Sequence, residues 1–381
     1  MIIFLLVALL VIGSLCGFMA WRTMALCPFL QHHPLWVWGF FAGVFVLQFA
    51  VPALHRIPAL THRLEFLHWI SYGLLGLIST YFVYLIAADL LQLLARRLFH
   101  APDAAGLWAF LLAATFSLAS VLLGLVTALR PVALHRIEVA IEGLAPELDG
   151  FRIVQISDLH LGPTVRRSQV GHIVALANAQ QPDLVAITGD LVDSEADGTR
   201  AKAVLLGELT ARHGVFFVTG NHEYYAGVRP WLALIRGLGW KVLLNAHEVI
   251  QHEGAPLIVA GMPDPAARMR RPGLAGPAGE GPDLAKALAG APEGTRILLF
   301  HQPLFYAQAE RVGVRLQLSG HTHGGQYFPW SLLVQRIFAY PIGLHRHGRL
   351  WIHTSPGTGF WGPPNRFLVP PELSLLVLKR A

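Results

Sequence analysis

Four uninterrupted apolar stretches constrain this chain more than any other feature: Ile2–Ala20, Leu35–Leu54, His68–Leu94 and Leu107–Leu129. A helix crosses a bilayer with about 20 apolar residues. A core helix of a soluble protein keeps a polar stripe every three or four residues, and these stretches carry none; only Asp89 interrupts the third, near its C-terminal end. The segments between them hold Arg22, Arg56 with Arg63, Arg96 with Arg97, and then Arg130. The pattern predicts four membrane helices, with Asp89 at an interface rather than on an ion path. The first stretch reads as a retained span, because no basic residues precede it and an A-x-A cleavage site is missing. An even number of spans places both ends on one side. With a cytoplasmic N-terminus, Arg56, Arg63, Arg130 and Arg136 lie inside and Arg22, Arg96 and Arg97 outside. The positive-inside rule then favours a multi-pass protein of the cell (inner) membrane with a cytoplasmic C-terminal portion.

Beyond Arg130 the character changes to that of a folded domain. The chain as a whole is 54% hydrophobic and 14% charged with a formal net charge of +6. A basic balance suits nucleic acid, an anionic membrane surface or a phosphorylated substrate. No Lys/Arg-dense run or basic–aromatic interleaving is present, which argues against a nucleic-acid partner. The two cysteines, Cys16 and Cys27, both lie in the apolar region, so neither a disulfide framework nor a CxxC zinc site is expected.

In the C-terminal portion, short β-rich segments alternate with helical patterns. Arg152–Ser157, Leu184–Thr188, Val215–Thr219 and Arg296–Phe300 read as buried strands, and Leu257–Ala260 and Arg315–Leu318 as weaker ones. Ser168–Gln180, Arg200–Arg212 and Trp231–Leu238 read as helices, and Arg268–Pro292 as a surface loop with a short helix near Leu284–Ala289. Alternation of this kind predicts a layered α/β domain. The chain divides into a four-helix membrane region (1–130), a connector with a first strand (131–150) and an α/β domain (151–381).

The residues just past each strand carry the chemistry. Asp158-Leu159-His160, Gly189-Asp190, Gly220-Asn221-His222-Glu223, His301 and Gly320-His321-Thr322-His323 stand in turn at five strand ends. In α/β sheets the ligand crevice lies beyond the carboxyl ends of the strands, so these groups can converge. Carboxylates, imidazoles and an amide oxygen together suit borderline divalent metals such as Mn, Fe, Zn or Co. A pair of such ions activates water and clamps both oxygens of a phosphoryl displacement. Gly189, Gly220 and Gly320 fit turns where backbone must pass close to the site.

The motifs D-L-H, G-D-L-V-D, G-N-H-E, an isolated His and G-H-T-H-G-G-Q, in this order, resemble the calcineurin-like metallophosphoesterases. Within them the chain is most similar to the membrane-associated bacterial phosphohydrolase branch. The resemblance runs from about Arg136 to the C-terminus and implies a β-sandwich flanked by helices. It implies that Asp158, His160 and His323 bind one divalent metal ion, that Asn221, His301 and His321 bind a second, and that Asp190 bridges the two. It also implies that His222 stabilises or protonates the leaving oxygen, with Asp193 orienting His222. Protein phosphatases of this superfamily carry Arg-Gly after that aspartate, whereas Ser194-Glu195 stands here. The missing arginine points away from phosphoproteins and toward a phosphorylated small molecule or lipid.

Arg366 is read either as a substitute positive charge or as a surface arginine. Glu223 is expected to support its loop and Asp264 to be a turn residue near the site. His32, His33, His247, His252, His345, His347 and His353 are expected at surfaces or interfaces. Trp330–Tyr340 is unusually apolar and either packs in the core or faces a bilayer. The favoured function is a membrane-integral, metal-dependent phosphohydrolase acting on phosphoester or pyrophosphate bonds of a membrane-associated or lipid-linked substrate. The alternative is a membrane scaffold or sensor that uses the fold as a binding module. Oligomeric state is not legible in the sequence.

Overall fold

A computed structural model describes residues 2–55, 65–99, 105–193, 196–268 and 280–381. Arg56, Arg63, Ser194, Glu195 and the middle of the Gly/Pro/Ala-rich loop lie outside the described residues. The chain forms two compact units, one of residues 1–129 with 362–368, the other of residues 130–361 with 369–381.

The first unit contains four long helices: α1 (Ile2–Leu26), α2 (Pro34–His55), α3 (Glu65–Phe99) and α4 (Ala105–Leu129). All four are long and apolar enough to cross a membrane. Each runs past the expected limits, so Arg22 sits inside α1 and Arg96 and Arg97 inside α3 rather than in separate loops. Arg22 and Asp89 meet there. The guanidinium donates from Nε and Nη2 to both carboxylate oxygens, at 2.7 and 2.8 Å. A lone charge in a membrane helix costs about 2.5–3.5 kcal/mol; a two-pronged pair of opposite charges offsets that cost, which explains how Asp89 is tolerated. Hydroxyl pairs join α3 to its neighbours: Thr80 with Ser117 at 2.7 Å, Tyr84 with Ser120 at 2.8 Å and Tyr81 with Thr23 at 2.7 Å. Segment 362–368 packs at Gly124, whose carbonyl accepts the Arg366 amide at 3.0 Å and whose missing Cβ makes room for the Asn365 side-chain Oδ1. Arg366 is fully buried in that segment, which overturns its reading as a surface residue.

The second unit is built on two six-stranded sheets. In the first, β1 (Ala133–Ile141), β12 (Glu372–Arg380), β2 (Arg152–Ile156), β3 (Leu184–Ile187), β4 (Val215–Phe217) and β5 (Lys241–Val242) lie side by side in that order. In the second the order is β10 (Gly343–His347), β11 (Leu350–Thr354), β9 (Val314–Ser319), β8 (Thr295–Leu299), β7 (Ala255–Gly261) and β6 (Ala246–His252). The central strands β2–β3–β4 and β7–β8–β9 pair in parallel, so within each sheet their carboxyl ends point the same way.

Alternation along the strands assigns each residue to a layer. Ile153, Leu184, Ala186, Phe216, Leu257, Val259, Ile297, Leu299, Leu316 and Leu318 fill the space between the sheets. Val154, Ile156, Val185, Ile187 and Phe217 face outward against the helices Arg167–Ala179 and Val228–Gly237. Ala260, Leu298, Phe300 and Ile352 face the opposite outer layer, with Leu284 and Ala309. Strands covered on both faces read as continuous apolar runs, as the LVAIT segment does, while RIVQIS is broken by Gln155, whose side chain is hydrogen-bonded inside the fold. The expected layered α/β domain, a β-sandwich flanked by helices, is therefore observed. The helix expected at Arg200–Arg212 is shorter: it covers Ala196–Ala203 and tightens into a 3-10 turn over Val204–Glu208.

Candidate metal centre

The strand-end residues come together at one place. Asp158, His160 and His323 form one cluster and Asp190, His301 and His321 a second, each with ligand atoms within 4.8 Å of one another. His160 Nε2 and His323 Nε2 face each other at 2.9 Å, and His323 Nε2 lies 3.4 Å from Asp158 Oδ1. His301 Nε2 lies 3.2 Å from Asp190 Oδ2. Asn221 reaches the second cluster, with Oδ1 3.0 Å from His321 Nδ1. Asp190 Oδ2 is also 4.0 Å from His160 Nε2 and 3.9 Å from His222 Nε2, so this carboxylate stands between the clusters.

The backbone is bent to achieve this. Asp158, His160, Asp190, His321 and His323 have φ values of 53°, 52°, 48°, 71° and 49°, a left-handed region that side chains other than glycine rarely occupy and that concentrates at functional sites. Two glycines leave the room needed. A Cβ on Gly220 would fall 2.1 Å from Asp190 Oδ1, and one on Gly320 2.1 Å from Asp158 Oδ2. Backbone amides hold the carboxylates: His222 N donates to Asp190 at 2.9 Å and His321 N to Asp158 at 3.0 Å. Glu223 is fully buried and accepts the amides of Asp190, Leu191 and Gly220 at 3.1, 2.7 and 2.6 Å. It ties two strand ends together, as expected of a loop support. Burial, followed by the Asp190 charge, pushes its pKa up to about 7.

Tautomers test whether a cation fits. Asp193 accepts the Nδ1 proton of His160 at 2.6 Å, and the Thr188 carbonyl accepts that of His301 at 2.8 Å. Each neutral ring then turns a bare Nε2 lone pair inward. The fully buried His301 Nε2 has no hydrogen-bond partner although it lies beside the Asp190 carboxylate. A lone pair against a carboxylate repels unless a proton or a metal ion lies between them. A proton can serve at one ring: burial opposes charging His301, yet Asp190 draws its pKa well above the usual value. Two adjacent clusters with the same donor types fit divalent metal better. The carboxylates agree with this. Burial pushes the Asp158 pKa up, so its charged form needs a cation, while Asp190, despite burial, is held far below the usual range by His301 and its neighbours.

Asp193 does more than the sequence indicated. Its Oδ1 accepts from Nδ1 of His222 at 2.7 Å as well as from His160. One oxygen thus orients both a candidate ligand ring and the candidate acid. At these distances Asp193 is a hydrogen-bond acceptor between two rings rather than a ligand. Against the penalty of burial, that bond and the nearby Asp190 raise the His222 pKa to about 9. Spacing alone shows an aspartate after a strand and cannot show a double acceptor.

Other residues depart from expectation. His353, grouped with histidines expected at surfaces or interfaces, is fully buried, with Nδ1 2.7 Å from Gln155 Oε1. Gln155 in turn donates to Thr188 Oγ1 and the Ser319 carbonyl at 2.9 and 2.8 Å, bracing the strand ends beneath the site. His252 is buried beside His213 at 3.0 Å. Asp264 is fully buried and closes a turn by accepting the Ala266 amide at 2.8 Å, as expected. Tyr225 and Trp361 stand 5.4 and 5.7 Å from His222, ring centre to ring centre, and Phe338 stands 6.1 Å from His321. Nothing in the sequence singled out Tyr225 or Trp361.

Replacing Asp193 by Asn removes the acceptor shared by His160 and His222. Metal affinity is expected to fall about 10–100-fold, measured by calorimetric titration of the metal-free protein with Mn²⁺. Unchanged affinity would show that Asp193 does not orient His160.

The profile of the family "Calcineurin-like phosphoesterase" matches residues 151–325, which hold the strand ends and clusters described above. The chain is 41% identical to the "Transmembrane protein with metallophosphoesterase domain" of Danio rerio, over 68% of this chain and 60% of that protein. It is 38% identical to an "Uncharacterized metallophosphoesterase" of Helicobacter pylori, over 60% of each. It is 33% identical to an "Uncharacterized metallophosphoesterase" of Aquifex aeolicus, over 61% of this chain and 87% of that protein. The match thus spans about three fifths of the zebrafish relative and most of the Aquifex one. On this likeness and the order of the strand-end motifs within the matched region, the chain belongs to the calcineurin-like phosphoesterase family.

Proposed function

We propose that the protein is a metal-dependent phosphohydrolase that cleaves phosphoester or pyrophosphate bonds. Residues 151–381 are read as the catalytic domain, 131–150 as connector and first strand, and 1–130 as its four-helix membrane region. Asp158, His160 and His323 are assigned to one ion, Asn221, His301 and His321 to a second, and Asp190 to both; Mn, Fe, Zn and Co all suit these donors. The observation that carries the reading is the place of Asp190 Oδ2, within 4.0 Å of ring nitrogens His160 Nε2, His222 Nε2 and His301 Nε2.

When bound, such ions supply water activation near neutral pH and neutralise charge on the phosphoryl oxygens. The chain's own groups do the rest. His222 faces the clusters with Nε2 while Asp193 accepts its Nδ1 proton, so in the doubly protonated ring the second proton sits on the side where a leaving oxygen would depart. Its raised pKa, about 9, keeps that proton in place at neutral pH. Glu223 and the Gly220 turn fix Asn221 and His222 on the first turn of the helix Asn221–Tyr225.

The membrane region motivates a membrane-associated or lipid-linked phosphate as substrate. Detergent-purified protein loaded with Mn²⁺ is expected to hydrolyse bis-p-nitrophenyl phosphate, and Asp190→Asn or Asn221→Ala to abolish that hydrolysis. Equal inertness of the metal-loaded wild type and both variants would remove phosphodiesters as the substrate class.

The arginine balance favours a cytoplasmic domain in the cell (inner) membrane. In sealed spheroplasts, external protease should leave the C-terminal domain intact until the membrane is opened. Digestion of intact spheroplasts would reverse the orientation.

A further inference from the structure

An apolar rim borders the candidate centre on both sides. On the side of His222 stand Tyr225 and Trp361, and Trp361 is 56% exposed. Trp361 is held in place through its backbone: its amide donates to Gln326 Oε1 at 2.8 Å and its carbonyl accepts from Gln326 Nε2 at 2.9 Å. On the side of His321 stands Phe338, directly after the helix Trp330–Ile337. That helix buries only Ser331, while Leu332, Leu333 and Ile337 are 55%, 50% and 64% exposed. Isolated exposed apolar side chains are ordinary. Here they adjoin Phe338, whose ring stands beside His321, on a helix joined by four residues to His323 and its turn.

We propose that this rim receives the hydrocarbon part of an amphiphilic phosphoester, so that the substrate is a phosphate bearing a lipid-like chain rather than a polar nucleotide or sugar phosphate. The inference rests on the phosphohydrolase reading and deepens it. A phosphate placed between the two clusters leaves its organic substituent beside His222 or His321, and an aromatic ring stands next to each of them. Hydroxyl-rich substituents would displace water from Trp361, Leu333 and Ile337 and find no hydrogen-bond partner on the two aliphatic side chains and only the indole N–H on Trp361. Hydrocarbon would bury them, and each methylene moved out of water is worth about fourfold in affinity.

The test compares p-nitrophenyl methyl phosphate with p-nitrophenyl hexyl phosphate, both releasing p-nitrophenolate, on full-length Mn²⁺-loaded protein at one detergent concentration. The wild type is expected to favour the hexyl ester at least about tenfold in kcat/KM, a conservative share of the methylene increment. In Trp361→Ala and in Leu333→Gln/Ile337→Gln this ratio is expected to fall below about threefold, less than one methylene's worth. The ratio cancels any loss of folded or metal-loaded protein, since both esters report the same leaving group. Hydrolysis of both esters by wild type with no chain preference would overturn the inference and leave the phosphohydrolase reading standing. A preference unaltered in both variants would also overturn it, as would occur if the rim lay only against the bilayer. Failure of wild type to cleave either ester would remove the inference together with the reading beneath it.

Discussion

Ring nitrogens and carboxylates crowded into one buried pocket are the constraint around which the α/β unit is arranged. His160 and His323 present ring nitrogens to each other at 2.9 Å, and His301 presents one to Asp190 at 3.2 Å. Such crowding costs free energy unless protons or cations lie among the groups. The chain nevertheless enforces them. It places five of the residues in left-handed backbone, leaves Gly220 and Gly320 without a Cβ where one would collide with a carboxylate, and fixes proton positions through Asp193 and the Thr188 carbonyl. Strain and repulsion gathered at one point are what a site built for cations stores in its fold.

The supporting shell explains how separate strand ends act as one site. Glu223 joins the turn after β3 to the turn after β4 through three backbone amides. Gln155 crosses from the first sheet to the Ser319 carbonyl of the second, with His353 behind it. Asp193 couples His160 to His222, so that a candidate ligand and a candidate acid share one orientation.

Much of this was legible in the sequence for a physical reason. Strands buried on both faces are largely apolar, so RIVQIS, LVAIT and VFFVT stand out, and the polar residue after each marks where the chain leaves the core. The four membrane helices were legible for the same reason, since hydrocarbon tolerates no polar face. Less visible were β5, which is only Lys241–Val242, and the outer strands β6 and β10, whose exposed polar residues dilute the pattern. His353 was misread because a lone histidine between Ile352 and Thr354 gives no sign of the glutamine that receives it. The pairing of Arg22 with Asp89 spans 67 positions, which no local pattern conveys. The double bond-acceptor role of Asp193 and the place of Trp361 beside His222 likewise depend on chain segments far apart in sequence.

Electron paramagnetic resonance of the Mn²⁺-loaded full-length protein tests the central claim most directly. Two ions sharing the Asp190 carboxylate predict an exchange-coupled spectrum at two Mn²⁺ per chain, replaced in Asp190→Asn by the six-line pattern of isolated ions or by loss of binding. Only isolated-ion signals in the wild type at saturating Mn²⁺, or no bound Mn²⁺ at all, would contradict a shared pair.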